Sequence, residues 1–464
     1  MKNSFLHQPR KYIFRVLLIS RWLVGFLTIA LIFTNSSCKK DAIAEPSVSS
    51  FIKWGKCYGG RDDDRPMSLK STPDGGYVMI GDANSKDGDL SGFSQLDSLG
   101  NFLSTFIVKV NSTGQIEWKV LLPYGTAAYN MDIEITSDGG FLFCGWCNSN
   151  TFNNLPNYHG GDDAVIVKLN SQGEIEWSKC FGGSANDYIY RIRRTMDGNY
   201  LLIGSSYSSN GDLTFNYGSS DIWVSKIDIN GNLIWTKNFG SSTSDGGVDI
   251  VETSIGVYYL LGYTSGSLGG NHGMYDAFVM QLTASGNYNW YKCFGGSGND
   301  FGEFLTKSVD GGIIIGGESN SIDGDVTTNQ GGFDSWAFKI STSGNLIWQK
   351  SVGGSGNEYF KDMATAINSD IVFIGVTNSN DGDIVGLHGG GGQDGYFCKL
   401  DNNGNFKSVR TVGGGDTDAI ACNIIQSSDG DFISLFGAWS DDGDVTGHNS
   451  FDNSDYWLIK TATP

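Results

Sequence analysis

From Phe51 onward the chain alternates short apolar runs with clusters of turn-forming residues, and no stretch carries the 3.6-residue period of an amphipathic helix. Four kinds of run recur in a fixed order. The first follows an acidic residue. The second, typified by YVMIG, YLLIG and IIIGG, ends on a glycine. The third is typified by DIWVSK and DAFVMQ. The fourth carries a tryptophan, as in IEWSKCFGG, LIWTKNFG, YNWYKCFGG and LIWQKSVGG. Turns such as STPDGG, TSDGG and SVDGG separate the first run from the second, and SxGN-type turns separate the third from the fourth. The loop between the second and third is longer and polar. With the runs named A to D, one unit is four strands in about 58 residues, the signature of a β-propeller blade.

Anchor tryptophans stand at 54, 118, 177, 235, 290 and 348, with Ser408 at the next equivalent place. Ten residues on comes an acid: Asp64, Asp187, Asp245, Asp300, Glu358 and Asp418, with Ala128 as the exception. Another aspartate precedes strand C in six units, at 163, 221, 276, 334, 394 and 455, and Ser104 takes its place in the first. These short carboxylates read as caps on backbone N–H groups where a loop enters a strand. The recurring tryptophan reads as packing between blades. The last unit has strand A near Cys422–Gln426, B near Phe432–Phe436 and C at Tyr456–Lys460, but the chain ends at Pro464, before a D strand could follow. FIKWGKCYGG, residues 51–60, is a D strand without a preceding unit. The expectation is an all-β, seven-bladed propeller of four-stranded blades over residues 51–464, its N-terminal strand closing the last blade and removing the exposed edges of an open array.

Residues 1–37 differ from the rest. A basic start, MKNSFLHQPRKYIFR, leads to the apolar run WLVGFLTIALIF and then to TNSSCKKD. The order of apolar run, small residues and Cys38 resembles a bacterial lipoprotein signal, although Asn35 departs from the aliphatic residue usual three places before the cysteine. The resemblance implies a signal peptide over 1–37, lipidation of Cys38, a tether over 38–50 and an outer-membrane, surface-exposed protein. A secreted protein is the alternative. Removing residues 1–37 takes away five basic residues and no acidic ones, which lowers the net charge from −19 to −24. Such a surface repels nucleic acid and anionic lipid and suits cations, basic partners or neutral ligands.

Composition adds two points. The 66 glycines against 7 prolines recur at fixed places, as turns in an ordered array do. Apart from Cys38, seven cysteines remain, an odd number that cannot pair completely within one chain. Cys57, Cys180 and Cys293 share one repeat position and read as small apolar fillers. Cys144 and Cys147 have redox spacing, but a strand points them to opposite faces.

Antiparallel strand order sends A–B and C–D turns to one side of the ring and B–C and D–A loops to the other. Most of the distinctive chemistry falls on the second side. His159, His272, His388 and His448 lie in B–C loops, as do the pairs Asp87/Asp89, Asp323/Asp325, Asp381/Asp383 and Asp442/Asp444, the related Asn210-Gly-Asp212, and the aromatics Phe93, Tyr158, Tyr217, Tyr275 and Phe451. The Asp-Gly-Asp loops have two readings: calcium ligands, with glycine permitting the sharp turn, or ordinary Asp-Gly turns outside the EF-hand pattern. The histidines would form a transition-metal site only by converging on the axis. A glycan or protein ligand would be held by Tyr158, His159, Tyr217, His272, Tyr275, His388 and His448.

No G-x-S-x-G, H-E-x-x-H or G-x-x-x-x-G-K-[ST] motif occurs. The segments SGNLIWQK, GGSGND, DGGIIIGG and DSWAFK resemble those of secreted and lipoprotein β-propeller repeat proteins of Bacteroidota. The resemblance spans residues 51–464 and implies fold and cell-envelope location, but no activity. The leading expectation is a monomeric, non-catalytic binding or scaffold propeller for a glycan or envelope protein, with its ligand face formed by B–C and D–A loops. The alternatives are a glycoside-cleaving enzyme using paired loop carboxylates and a purely structural component of an envelope complex.

Overall fold

The computed structural model describes residues 51–92, 104–123, 129–147, 157–388, 392–418, 420–448 and 453–464. Its compact body runs over Val48–Pro464. Seven antiparallel sheets of four strands follow the order A-B-C-D, beginning with Asp64–Ser71, Tyr77–Ala83, Ser104–Val110 and Ile116–Pro123 in blade 1. Each A strand neighbours the A strand of the next blade, and that of blade 7 returns to blade 1, so the ring is closed. The expected N-terminal closure is present. Ile52–Tyr58 is the D strand of blade 7, paired antiparallel with Asp455–Thr461 in the register Trp54↔Lys460 and Tyr58↔Tyr456.

Burial follows from position in the ring. The B and C strands are covered on both faces by adjacent blades. Tyr200–Ser206 and Asp221–Ile227 are buried throughout, which is why they read as continuous apolar runs. The outer D strands, such as Leu233–Phe239, are exposed or half-buried. The inner A strands alternate between the core and the central channel, and each carries a β-bulge in the same region, as between Ile189 and Arg191. A second inter-blade link is backbone to backbone. The N–H of the first acidic residue of strand A donates to the carbonyl just before the C-strand aspartate of the preceding blade, as from Asp187 to Asp162 at 2.6 Å and from Asp300 to Tyr275 at 2.6 Å.

The tryptophans do pack blade on blade. Each ring lies against the glycine of the next blade's C–D turn: Trp118 against Gly173, Trp177 against Gly231, Trp235 against Gly286, Trp290 against Gly344, Trp348 against Gly404, and Trp54 against Gly114 across the closure. These glycines have φ between 69° and 83°, and a Cβ at any of them would meet the indole within about 3.3 Å. Ser408 faces the one blade whose C and D strands come from opposite ends of the chain. No C–D turn exists there for an indole to cover.

Candidate functional site

Where both are described, the D–A and B–C loops clasp one another. The A-strand acid anchors the D–A loop: Asp187 Oδ2 accepts from Gly183 N–H at 2.7 Å and from Ser208 Oγ at 2.7 Å, and Asp300 Oδ2 repeats this with Gly296 and Ser321. The Asp-Gly-Asp turns complete the clasp. Asp87, Asp323, Asp381 and Asp442 accept the N–H groups of Arg61, Ser297, Ser355 and Gly415 at 2.6–2.9 Å. Asp89 and Asp325 accept from Gly59 and Gly295 at 3.2 and 3.3 Å, Asp383 accepts from Gln330 Nε2 at 2.7 Å, and Asp444 lies 3.5 Å from His388 Nε2. The glycine between the two aspartates has φ near +60° and lies against the D–A glycines, as Gly324 does against Gly295 and Gly296. The carboxylates singled out as calcium ligands thus already hold backbone or side-chain donors. Among the described residues, no group of three His, Cys, Asp or Glu side chains is placed to share a metal. Melting the protein in millimolar calcium, in magnesium and in excess chelator separates the two readings: a calcium-specific rise in midpoint would make the loops ligands, and midpoints that agree within about 1 °C would leave them as turns.

The histidines do not converge. Each faces the C-strand aspartate of its own blade: His159 Nδ1 is 3.5 Å from Asp163, His272 Nδ1 2.9 Å from Asp276, His388 Nδ1 3.2 Å from Asp394 and His448 Nε2 4.0 Å from Asp455. The same aspartates cap loop backbone as the sequence suggested, accepting from His159, His272 and His388 N–H and, in blades 3 and 5, from Tyr217 and Gln330 N–H. Burial pushes the carboxyls of Asp163, Asp221, Asp276 and Asp334 up, Asp163 to about 7 and Asp221 and Asp334 to about 6. His388 also reaches Asp444 of blade 7, and hydrogen bonding to Asp394 raises its pKa.

What the loops do assemble is aromatic. At the mouth of the channel, Trp146 ends strand B of blade 2 and meets Tyr188 of blade 3 edge to face, with centroids 5.1 Å apart, and Tyr190 at 6.2 Å. Tyr188 stacks on Tyr190 at 6.3 Å with planes 12° apart, and its edge meets Tyr207 at 6.5 Å. The rings continue through blades 4 to 6. Tyr263 meets Tyr275 at 5.9 Å, Tyr275 meets Phe301 at 5.6 Å, and Phe301, Phe333 and Tyr359 follow at 6.3 Å intervals. Burial raises the phenols of both Tyr190 and Tyr263, that of Tyr263 to about 12. All except the buried Trp146 are half-buried. Tyr188 Oη donates to Asp162 Oδ2 at 2.7 Å, which fixes one ring and places a carboxylate beside it.

Of the tyrosines named from sequence, Tyr275 belongs to this arc. Tyr217 stands apart in an exposed pair with Phe215, centroids 4.5 Å apart. Tyr158 donates to Gly161 O within its own loop. Phe93, Phe451 and Cys38 lie outside the described residues. The other members of the arc were missed because they sit inside or beside strands and read as core. A signal existed: the residue after the A-strand acid is aromatic at Tyr188, Phe301 and Tyr359.

Below the arc, Arg193 bridges three blades. Its guanidinium lies 2.6 Å from Asp132 of blade 2 and 2.8 Å from Asp249 of blade 4. Towards the A–B side, a cavity of about 390 Å³ is lined by Lys70, Arg193, Phe304, Lys307, Asp362 and Asn423 among others.

Fold and site define an all-β, seven-bladed propeller with an aromatic-lined mouth on its B–C/D–A face. No protein-family model matches the chain. Over 221 residues it is 25% identical to Regulatory protein FlaEY of Caulobacter vibrioides, a match covering 42% of this chain and 23% of that protein. The chain thus aligns with about a quarter of that relative's length. Similar solved structures include a protein of unknown function from Dyadobacter fermentans (TM-score 0.46, 9% identity, 89% of this chain and 99% of that one) and BamB from Moraxella catarrhalis (0.39, 12%, 87% and 96%). A protein of unknown function from Bacteroides caccae is also similar (0.38, 11%, 66% and 90%). These similarities concern the fold.

Proposed function

We propose that this chain is a non-catalytic binding propeller of the cell envelope whose B–C/D–A face takes a neutral glycan on the aromatic arc. The observation that carries the reading is the set of half-buried rings from Tyr188 to Tyr359, held by rigid strand ends. Packed aromatics that stay partly exposed offer large contact area at little conformational cost, and sugar C–H faces stack on them while the flanking carboxylate and loop amides accept and donate hydroxyl hydrogen bonds. The acidic balance of the chain disfavours polyanions. Rings arrayed over blades 3 to 6 suit an extended ligand better than a single sugar.

The test is capture of polysaccharides from a panel of neutral and acidic glycans by the full chain, followed by Tyr188→Ala and Phe301→Ala. Each substitution should weaken binding of the captured neutral glycan by about tenfold or more while shifting the melting midpoint little. Unchanged capture by both variants, or capture of acidic glycans alone, would sink the reading.

A further inference from the structure

The opposite face carries a second pattern. In five blades the aspartate of the A–B turn pairs with a lysine of its own strand C: Lys109–Asp74 at 3.0 Å, Lys168–Asp138 at 3.1 Å, Lys226–Asp197 at 2.6 Å, Lys339–Asp310 at 2.6 Å, and Lys460–Asp429. In blade 6 Asp370 takes the role with Lys399 at 3.1 Å. Several turn aspartates also accept from the Thr or Ser two residues earlier. In these six blades a largely buried lysine thus partners the turn aspartate, and the apex residue points out. In four successive blades that apex is a large apolar side chain: Met196, Ile255, Val309 and Ile367 are 58, 78, 62 and 76% exposed. Pro73 is an exposed apex in blade 1, while Ser137 and Ser428 stand in blades 2 and 7.

Because the apices occupy the same turn of successive blades in one ring, they lie at one level, as separate knobs with no groove between strands for a peptide to fill. The chain also enters the propeller on this side. Ile52, the first residue of the closing strand, pairs with Thr461 at the A–B/C–D end of blade 7. Upstream in sequence lie residues 38–50, read from the sequence as a tether lipidated at Cys38. We propose that the A–B turn face rests on a lipid bilayer, with the apices of blades 3 to 6 dipping into its interface and the aromatic mouth turned away. A planar, fluid, apolar partner matches coplanar convex apolar knobs. The chain enters at blade 7, beside the apex of blade 6, so a lipidated tether would reach a bilayer from this same face. The inference does not depend on what the aromatic face binds.

The test uses the full chain reconstituted on phosphatidylcholine vesicles containing a nitroxide-bearing lipid, with a bimane label at Ile255→Cys or, on the other face, at Tyr217→Cys. Quenching at position 255 should exceed that at 217 by about fivefold or more. Adding Met196→Ser, Val309→Ser and Ile367→Ser to the Ile255→Cys protein should reduce quenching at 255 to the level at 217. These apices are exposed, so serine should leave the melting midpoint in place. Equal quenching at the two positions, or stronger quenching at 217, would overturn the proposal. So would sedimentation showing that the apices instead pair two copies of the chain, with no lipid quenching at 255.

Discussion

Removal of the N-terminal strand, by starting the chain at Arg61, is expected to open the ring. The loss strips Asp455–Thr461 of its only outer partner and leaves a bare central strand as a sheet edge. It also removes Phe51, packed edge to face on Phe397 at 5.2 Å, and buried Tyr58, whose hydroxyl donates to Gly114 O of blade 1 at 2.6 Å. The Lys53–Asp431 pair at 2.6 Å and the Trp54 cover over Gly114 are lost with them. Two buried aromatics and one side of a strand ladder amount to at least about 8 kcal/mol, or about 10 °C in melting midpoint for a body of this size. A thermal melt of the truncated chain, with and without a synthetic peptide of residues 48–60, reads the effect directly. Recovery with the peptide shows closure, and an unchanged midpoint in the truncated chain would refute it.

Arg193→Met is expected to cost about 3–5 kcal/mol, because it leaves two buried carboxylates without their shared cation. Asp132 receives Ser68 Oγ at 2.7 Å and Ile192 N–H at 3.2 Å in addition to the guanidinium, and Asp249 receives Ile250 N–H at 2.9 Å. Burial alone would push Asp132 up, but Lys70, Arg193 and Arg191 outweigh it and hold its carboxyl at about 2. In the native chain this depressed value contributes stability above the ordinary carboxylate pKa of about 4 that is lost as pH falls towards 2. In the variant only Lys70, Arg191 and Ser68 remain to oppose burial, so the carboxyl rises from that value and the deficit should be smaller at pH 3 than at pH 7.5. Urea unfolding of both chains at the two pH values checks this. Arg193→Lys should recover only part of the loss, because one ammonium cannot fork to carboxylates of two blades. A loss below about 1 kcal/mol at pH 7.5, or one that is the same at both pH values, would remove Arg193 from its place as an inter-blade tie.

The two variants probe different kinds of information. The closing strand was legible because it is a local pattern: FIKWGKCYGG matches LIWQKSVGG, and the count of A, B and C runs leaves one D strand missing. Asp163 and its equivalents were legible as caps for the same reason, since the group they cap lies four to six residues away. Arg193 offered no such sign. Its partners lie 61 and 56 residues away on neighbouring blades, and nothing in RIRRT distinguishes it from Arg191 or Arg194.

The candidate site divides in the same way. Strand alternation was enough to say which side of the ring carries the long loops, the histidines and the Asp-Gly-Asp turns. It could not say that Asp323 holds Ser297 N–H across 26 residues, because an acidic turn reads alike whether it faces a cation or an amide. Nor could it join Trp146 to Tyr188 or Tyr275 to Phe301, rings brought together only when one blade docks on the next. The sequence by itself determined the strand period, the number of blades, the closure and the side on which the loops emerge, because each follows from hydrophobic spacing and turn chemistry within one repeat. Tertiary structure decided which carboxylates are already engaged, which aromatics form one surface and which turn apices are left apolar and exposed. Those depend on distances between blades, which ring closure sets and no local pattern encodes.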